Sequence, residues 1–300
     1  ASKEGITRRT VVNVPTGSTI KLEKIFGGAY GVRNDVACDV YESNVNWNSA
    51  EALVGNYKTG IYGGNNAYRR TLYGKVNISA PVYYDKENEY YATVYGAGYG
   101  VDTWAQYTEV NLNGNEDPTK DGAKVYEVYG GSQLGKVMNT NTVPLWKEDA
   151  ESKAAAACAT AHAAWENDPD KATKPEPQAP NPIPLLLEGY TDNGLANALA
   201  TYKYNTNVRI NKGAVVCGYM YGGSLSGAYA YGGGLGNADT ETSGDVYGTT
   251  YIGLFGGKVV KDIYAAGTIG SVNNRYRVEK DDFNNDFIAT ANAYIEGGTA

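Results

Sequence analysis

The stretch Thr93-Val94-Tyr95-Gly96-Ala97-Gly98 carries a phrase that recurs along the chain: an aromatic residue followed by small residues. The same phrase is Phe26-Gly27-Gly28, Tyr62-Gly63-Gly64 and Tyr129-Gly130-Gly131, with later copies at Tyr221-Gly222-Gly223, Tyr231-Gly232-Gly233, Phe255-Gly256-Gly257 and Tyr264-Ala265-Ala266-Gly267. The first four stand 36, 33 and 34 residues apart, and Tyr221 to Phe255 and Tyr231 to Tyr264 repeat the step at 34 and 33. A second marker keeps the same beat upstream: Val12-Asn13-Val14, Val45-Asn46-Trp47, Val76-Asn77-Ile78 and Val110-Asn111-Leu112, resumed by Val208-Arg209-Ile210. Two independent markers in one phase define a repeat, and a fixed period of this length means stacked supersecondary units.

Each repeat reads as a short alternating strand, a loop of variable length, a second strand running into the aromatic phrase, and a polar return. Insertions fall in the loops while the strands keep their beat, as when each strand is hydrogen-bonded to its equivalents in neighbouring repeats. The expected fold is all-β: a parallel β-helix, or β-solenoid, with an inserted helical and Pro-rich segment. Its aromatics are expected to stack as a ladder, and its glycines to supply positive φ at a sharp corner.

The expected divisions are 1–142 for the first repeats, 143–206 for the insertion, and 207–300 for repeats continuing the same domain. Within the insertion, Leu145 to Asn167 is rich in Ala, Glu and Lys and reads as a helix ending before Asp168-Pro169. Lys171 to Pro184 carries five prolines and reads as an extended strap, and Asn193 to Thr201 as a short second helix. Asn273 to Asp286 is charged and polar and reads as a surface loop or a partial cap. Ala293 to Gly298 reads as the opening of a further repeat, so the chain is expected to be an excerpt of a longer protein.

Composition narrows function by exclusion. Leu, Ile, Val and Phe make up roughly 18% of the chain, but a net charge of -7 is modest and 27 tyrosines replace many of the missing aliphatics, so disorder is not expected. The acidic balance and the lack of a basic cluster argue against nucleic acid. No apolar run is long enough to span a membrane. Cys38, Cys158 and Cys217 have neither framework nor zinc spacing and read as inert thiols. No cofactor is implied.

The one histidine, His162, lies in the Ala-rich helix, so a histidine-based triad or multi-histidine metal site is not expected. Carboxylate chemistry has Asp35 with Asp39, and Asp281 with Asp282, as its unspecific candidates. Gly233 to Ala238 imitates a calcium-binding glycine repeat, but Ala238 occupies the aspartate position; Asn113 to Asp121 reads better as a turn-rich loop than as an EF-hand. The remaining lead is aromatic. Tyr83, Tyr84, Tyr90, Tyr91, Trp104 and Tyr107 lie in or beside the long loops of the third and fourth repeats, where flat rings can stack on sugars or seat a protein, unless they continue the internal ladder.

The pattern of Val-x-Ile/Leu strands, Tyr-Gly-Gly phrases, an Ala-rich helix and a Pro-rich strap resembles adhesin-like cell-surface proteins of gut Bacteroidales-type bacteria. The resemblance covers residues 11 to 300 and implies a right-handed parallel β-helix of pectate-lyase-like type, placed extracellularly or at the cell surface and attached to the outer membrane through parts outside this chain. It also implies a noncatalytic adhesive or stalk element whose partner is a glycan or a host or bacterial surface protein. The wider group includes polysaccharide lyases and glycoside hydrolases, but the Asn-Thr-Asp, Gly-Asp-Asp and Gly-His-Gly signatures of polygalacturonases are absent from this sequence. A purely structural spacer is the third expectation.

Overall fold

The computed structural model describes residues 5–30, 38–138, 145–178, 204–240, 243–273 and 290–297. The chain is mostly β, with parallel sheets visited in the same order in successive repeats. The long strands Gly5–Val14, Cys38–Trp47, Tyr68–Ile78 and Asp102–Leu112 lie side by side in parallel. Their register places Val12, Val45, Val76 and Val110 in one row and Val14, Trp47, Ile78 and Leu112 in another. Short strands follow each long one, among them Leu53–Val54, Tyr83–Asp85, Lys124–Val125, Val215–Val216 and Lys258–Val259. The aromatic phrases begin a further parallel sheet: Ile25–Phe26, Gly60–Tyr62, Thr93–Tyr95, Val128–Tyr129, Ala230–Tyr231 and Ile263–Tyr264.

Alternate residues of a strand point to opposite faces, which divides these sequences between two environments. Val45, Val76 and Val110 of the long strands, Val54, Val82 and Val125 of the middle segments and Ile61, Val94 and Val128 of the aromatic strands meet in one aliphatic core. The neighbouring Tyr62, Tyr95, Tyr129 and Tyr231 form a separate buried cluster. Their rings, with Phe26 and Tyr264 at either end, make a continuous stack. Successive centroids are 5.0, 4.9, 5.1, 4.6 and 5.2 Å apart and the interplanar angles run from 2 to 18°. Parallel strands 4.7–4.9 Å apart place equivalent side chains at this spacing, so the stack follows from register.

The ladder glycines act differently from expectation. Gly63, Gly96 and Gly130 do not have positive φ. A Cβ at Gly63 would instead lie 2.2 Å from the carbonyl oxygen of Gly96, and one at Gly96 2.3 Å from that of Gly130. At Gly27, Gly63, Gly96, Gly130 and Gly232 the residue after the aromatic must be glycine because the next repeat's backbone occupies the side-chain position. Hydroxyls of Thr10, Ser43, Thr108, Thr206 and Thr250 donate to the carbonyls of Gly27, Gly63, Gly130, Gly232 and Ala265, tying long strand to aromatic phrase in five repeats, while Gly74 stands at the equivalent position of the strand Tyr68–Ile78.

Two phrases counted with the ladder lie outside it. Tyr221 ends the first arm of an antiparallel hairpin, Tyr219–Tyr221 with Ser224–Ser226, whose turn residues Gly222 and Gly223 have φ of 55° and 81°. Two positive-φ residues make the tight turn that matches the twist of paired strands. Phe255 ends the long strand Thr250–Phe255 and packs beneath the Arg209 guanidinium, 4.3 Å from its ring centroid.

The long strand has a joint. In Asp102–Leu112, burial alternates through Thr103 and Ala105, then Tyr107 and Thr108 are both buried, and alternation resumes at Val110 and Leu112 in the opposite phase. At the next level its two halves are met by separate pieces, Lys136–Met138 beside Trp104 and Ala105, and Thr206–Asn211 beside Thr108 to Leu112. The chain therefore leaves the sheet after Met138 and is back in it at Asn205, on either side of the joint, and both half-ladders continue. At the following level Gly248 and Thr249 alone connect the halves Val246–Tyr247 and Thr250–Phe255. Ala291–Ile295 in turn pairs with Thr250 to Leu254 as a further long-strand half.

Within the insertion, Leu145–Glu166 is helical. Lys171–Thr173, expected to be extended, forms one 3-10 turn, which folds the following segment back along the helix. Trp165 Nε1 donates to the Lys174 carbonyl at 3.1 Å, His162 Nε2 lies 2.9 Å from Glu176, and Cys158 Sγ donates to the Gln178 carbonyl at 3.2 Å. Cys158, His162 and Trp165 occupy one helix stripe, so the strap covers the face they share. Residues 179–184 of the expected strap and the helix at Asn193 to Thr201 lie outside the described residues, as does the expected loop Asn273 to Asp286 beyond Asn273, which ends the strand Val272–Asn273. No described helix is long and apolar enough to cross a membrane.

Candidate functional site

Two antiparallel hairpins depart from the parallel repeat, and their tyrosines meet. The first runs from Tyr83–Asp85 to Tyr90–Tyr91. Its turn is closed by Asp85, whose carboxylate accepts from the Asn88 side chain at 2.7 Å and backbone N–H at 3.2 Å; these bonds hold the carboxyl below its ordinary range. The second is the Tyr219 hairpin described above. Its base rests on Tyr126: a Cβ at Gly227 would lie 2.3 Å from that ring, and the Tyr126 hydroxyl lies 2.9 Å from Ser226 Oγ.

Tyr219 is the hub of the patch. Its ring lies 4.6 Å from Tyr90, 5.2 Å from Tyr126, 6.3 Å from Tyr57 and 6.4 Å from Tyr84. Tyr84 and Tyr90 are themselves 5.8 Å apart, and Tyr83 stacks on Tyr91 at 5.0 Å. Tyr57 projects from a tight turn in which Asn56 Oδ1 accepts from the backbone N–H of Lys58 and Thr59. It is 37% exposed, while Tyr83, Tyr91 and Tyr126 form the buried floor.

Burial pushes the phenols of Tyr83, Tyr84, Tyr91 and Tyr126 above their ordinary range, so they remain neutral near pH 7. Cys217 packs beneath, its thiol pushed up to about 12 by burial, which removes it from thiolate chemistry. The surface therefore offers neutral ring faces and hydroxyl groups. Beside it, Lys261 Nζ donates to the Leu225 carbonyl at 2.9 Å and to the Tyr229 hydroxyl at 3.2 Å. Glu127 accepts from Tyr129 OH at 2.9 Å; burial pushes its carboxyl up to about 7 against the opposing pull of that bond and of Lys261.

The structure thus brings together Tyr83, Tyr84, Tyr90 and Tyr91. Trp104 and Tyr107 lie in the long strand instead. Lys136 sits 5.0 Å over the Trp104 ring, and Tyr107 is buried opposite Tyr73. Sequence reasoning missed Tyr57, Tyr126 and Tyr219. For Tyr219 the signal was present: Tyr219-Met220-Tyr221-Gly222-Gly223-Ser224-Leu225-Ser226 alternates about a Gly-Gly turn, a hairpin pattern.

Of the carboxylate candidates, Asp39 is buried in an ion pair with Arg70, which donates to it from both guanidinium and backbone N–H. Asp35, Asp281 and Asp282 lie outside the described residues. In the glycine-rich segment, Asn237 Oδ1 accepts from the Asp239 N–H at 3.0 Å and Ser243 Oγ accepts from the Asn237 N–H at 2.7 Å, closing a turn. Asn115 and Asp117 accept backbone N–H groups within their own loop, and Lys124 pairs with Asp121 at 2.7 Å. No group of three or more metal-ligating acidic, histidine or cysteine side chains occurs among the described residues. No protein-family model, curated protein or solved structure matches the chain.

Proposed function

We propose that this chain is a noncatalytic β-solenoid module of a bacterial surface protein, an adhesive element whose tyrosine patch contacts glycan. In this reading the parallel sheets are the faces of a right-handed β-helix. The in-register pairing of equivalent strands supports it, as do the hydroxyl-to-carbonyl bonds that join long strand to aromatic phrase in five repeats. A parallel crossover is right-handed in nearly all known cases. The module belongs outside the cell, on a surface protein of the Bacteroidales adhesin-like type, and a protein partner is the other occupant this surface suits.

The observation carrying the glycan assignment is the convergence of the two hairpins on Tyr219. Tilted aromatic rings joined to neutral hydroxyls suit a sugar, whose C–H face stacks while its hydroxyls exchange hydrogen bonds. The polysaccharide-cleaving alternative has its best residue in Glu127, whose carboxyl is pushed up to about 7, the range of a general acid. Its identified polar neighbours are Tyr129 and Lys261 rather than the second carboxylate that glycoside hydrolysis uses.

Incubation with a panel of host and plant polysaccharides, scoring retention and release of new reducing or unsaturated ends, separates the readings. Retention without product is expected. Product release would instead establish the enzyme, and neither signal on any polymer would leave a spacer.

A further inference from the structure

The tyrosine patch also contains a pair placed for covalent chemistry. Tyr90 and Tyr219 are 129 positions apart in sequence and belong to different hairpins, yet their rings are 4.6 Å apart and tilted by 39°. Both are partly exposed to solvent. The ladder pair Tyr129–Tyr231 is equally close, but its rings are buried and inclined by only 8°, with their faces overlapping. Tyr126, the hub's next neighbour at 5.2 Å, is buried with its hydroxyl against Ser226. The Tyr90 and Tyr219 planes are inclined instead of parallel, and at 4.6 Å the two rings lie within reach of each other for joining ring carbons beside the phenolic oxygens.

The thiols do not provide this connection. Cys158 and Cys217 are free, and burial suppresses thiolate formation at Cys217 beneath the patch. Tyrosine is the residue here that oxidation can use to join the hairpins.

We propose that Tyr90 and Tyr219 form an oxidative modification site, joined as a dityrosine by a peroxidase-type one-electron oxidant acting with hydrogen peroxide. Each phenol gives up one electron and its hydroxyl proton. The two radicals couple through ring carbons ortho to oxygen, and the hydrogens on those carbons shift to the oxygens to restore both phenols. In net terms two ring C–H bonds break, one C–C bond forms, and two electrons and two protons reduce one hydrogen peroxide to two waters. The bond anchors the Tyr219 hairpin to the Tyr83–Tyr91 hairpin and fixes the patch with its outer ring faces still open. This step is independent of the glycan assignment and is tested without glycan.

The test is to treat the full chain at low concentration with a peroxidase and limiting hydrogen peroxide, then measure dityrosine fluorescence and map linked peptides by mass spectrometry. The expected product is a monomer in which the peptides containing Tyr90 and Tyr219 are joined with loss of two hydrogens. Tyr219→Phe keeps the ring but not the phenol and is expected to abolish that product with an unchanged circular dichroism spectrum. Tyr264→Phe, on an exposed ring at the ladder end, is expected to leave it intact. Absence of dityrosine, linkage confined to other tyrosines or to pairs of chains, or undiminished Tyr90-linked product in Tyr219→Phe would overturn the assignment.

Discussion

The ladder and the patch use the same side chain for different work. In the ladder, one ring per repeat is stacked within 18° of its neighbour, because parallel register delivers each ring at the strand spacing. In the patch, rings from several repeats meet Tyr219 at angles from 32 to 77°, because hairpins deliver them from different directions. The inner ladder rings, Tyr62, Tyr95, Tyr129 and Tyr231, have neighbours on both faces and serve stability. The patch rings leave edges and faces at the surface. Backbone register, more than residue type, separates a structural tyrosine from one available to a ligand.

The sharpest break in that comparison is truncation of one ring in each set. Tyr95→Ala is expected to cost about 3–5 kcal/mol in denaturant unfolding, since a fully buried ring is lost from the middle of the stack. Tyr219→Ala is expected to cost about 1 kcal/mol, in keeping with its partial exposure. Equal costs would mean that the patch is core.

The glycines give the next contrast. Gly63→Ala drives a Cβ into the Gly96 carbonyl and is expected to cost about 3 kcal/mol. Gly222→Ala meets open space but a φ of 55°, and is expected to cost about 1 kcal/mol. A reversed order in chemical melts would contradict the close-approach explanation of the ladder.

Glu127, beside ladder ring Tyr129, adds a pH dependence. Its folded carboxyl is raised from the ordinary 4.5 to about 7, first by burial, so the folded chain holds this proton more tightly than the unfolded one. Its contribution to stability is then highest below about 4.5, falls as pH rises through the window to about 7, and stays at the lower level above. Glu127→Gln keeps an acceptor for Tyr129 OH and removes the titration. The variant is expected to exceed the parent at pH 8 by on the order of 2 kcal/mol, with the difference vanishing near pH 4. An unchanged pH profile would remove Glu127 from the account.

A small effect also belongs to the amide row on the long strands. There Asn46 donates to Asn13, Asn77 to Asn46 and Asn111 to Asn77 at 2.8, 2.9 and 3.0 Å. Asn77→Ala interrupts it at a partly exposed position and is expected to cost about 1 kcal/mol, measured by the same melts.

Much of this was legible in the sequence, and the failures have physical causes. The repeat was readable because Val12, Val45, Val76 and Val110 answer to one register. The phrase of aromatic and two glycines was ambiguous because two different constraints select it. Gly63 is required by a neighbouring carbonyl, Gly222 and Gly223 by a left-handed turn, and spacing alone does not distinguish them. The split long strand was hidden since pieces such as Val246–Tyr247 are too short to carry a period. In the patch, the local run Tyr83, Tyr84, Tyr90 and Tyr91 was visible. Tyr57, Tyr126 and Tyr219 join it through tertiary folding from three other places in the chain.

The most direct test of the division between ladder and patch is to measure retention of Tyr84→Ala/Tyr219→Ala on whichever polysaccharide holds the parent chain, with unfolding followed on the same preparation. The account predicts that retention is lost while the variant remains folded with most of its stability. Parental retention by the folded double variant would contradict it and move the binding surface elsewhere on the molecule.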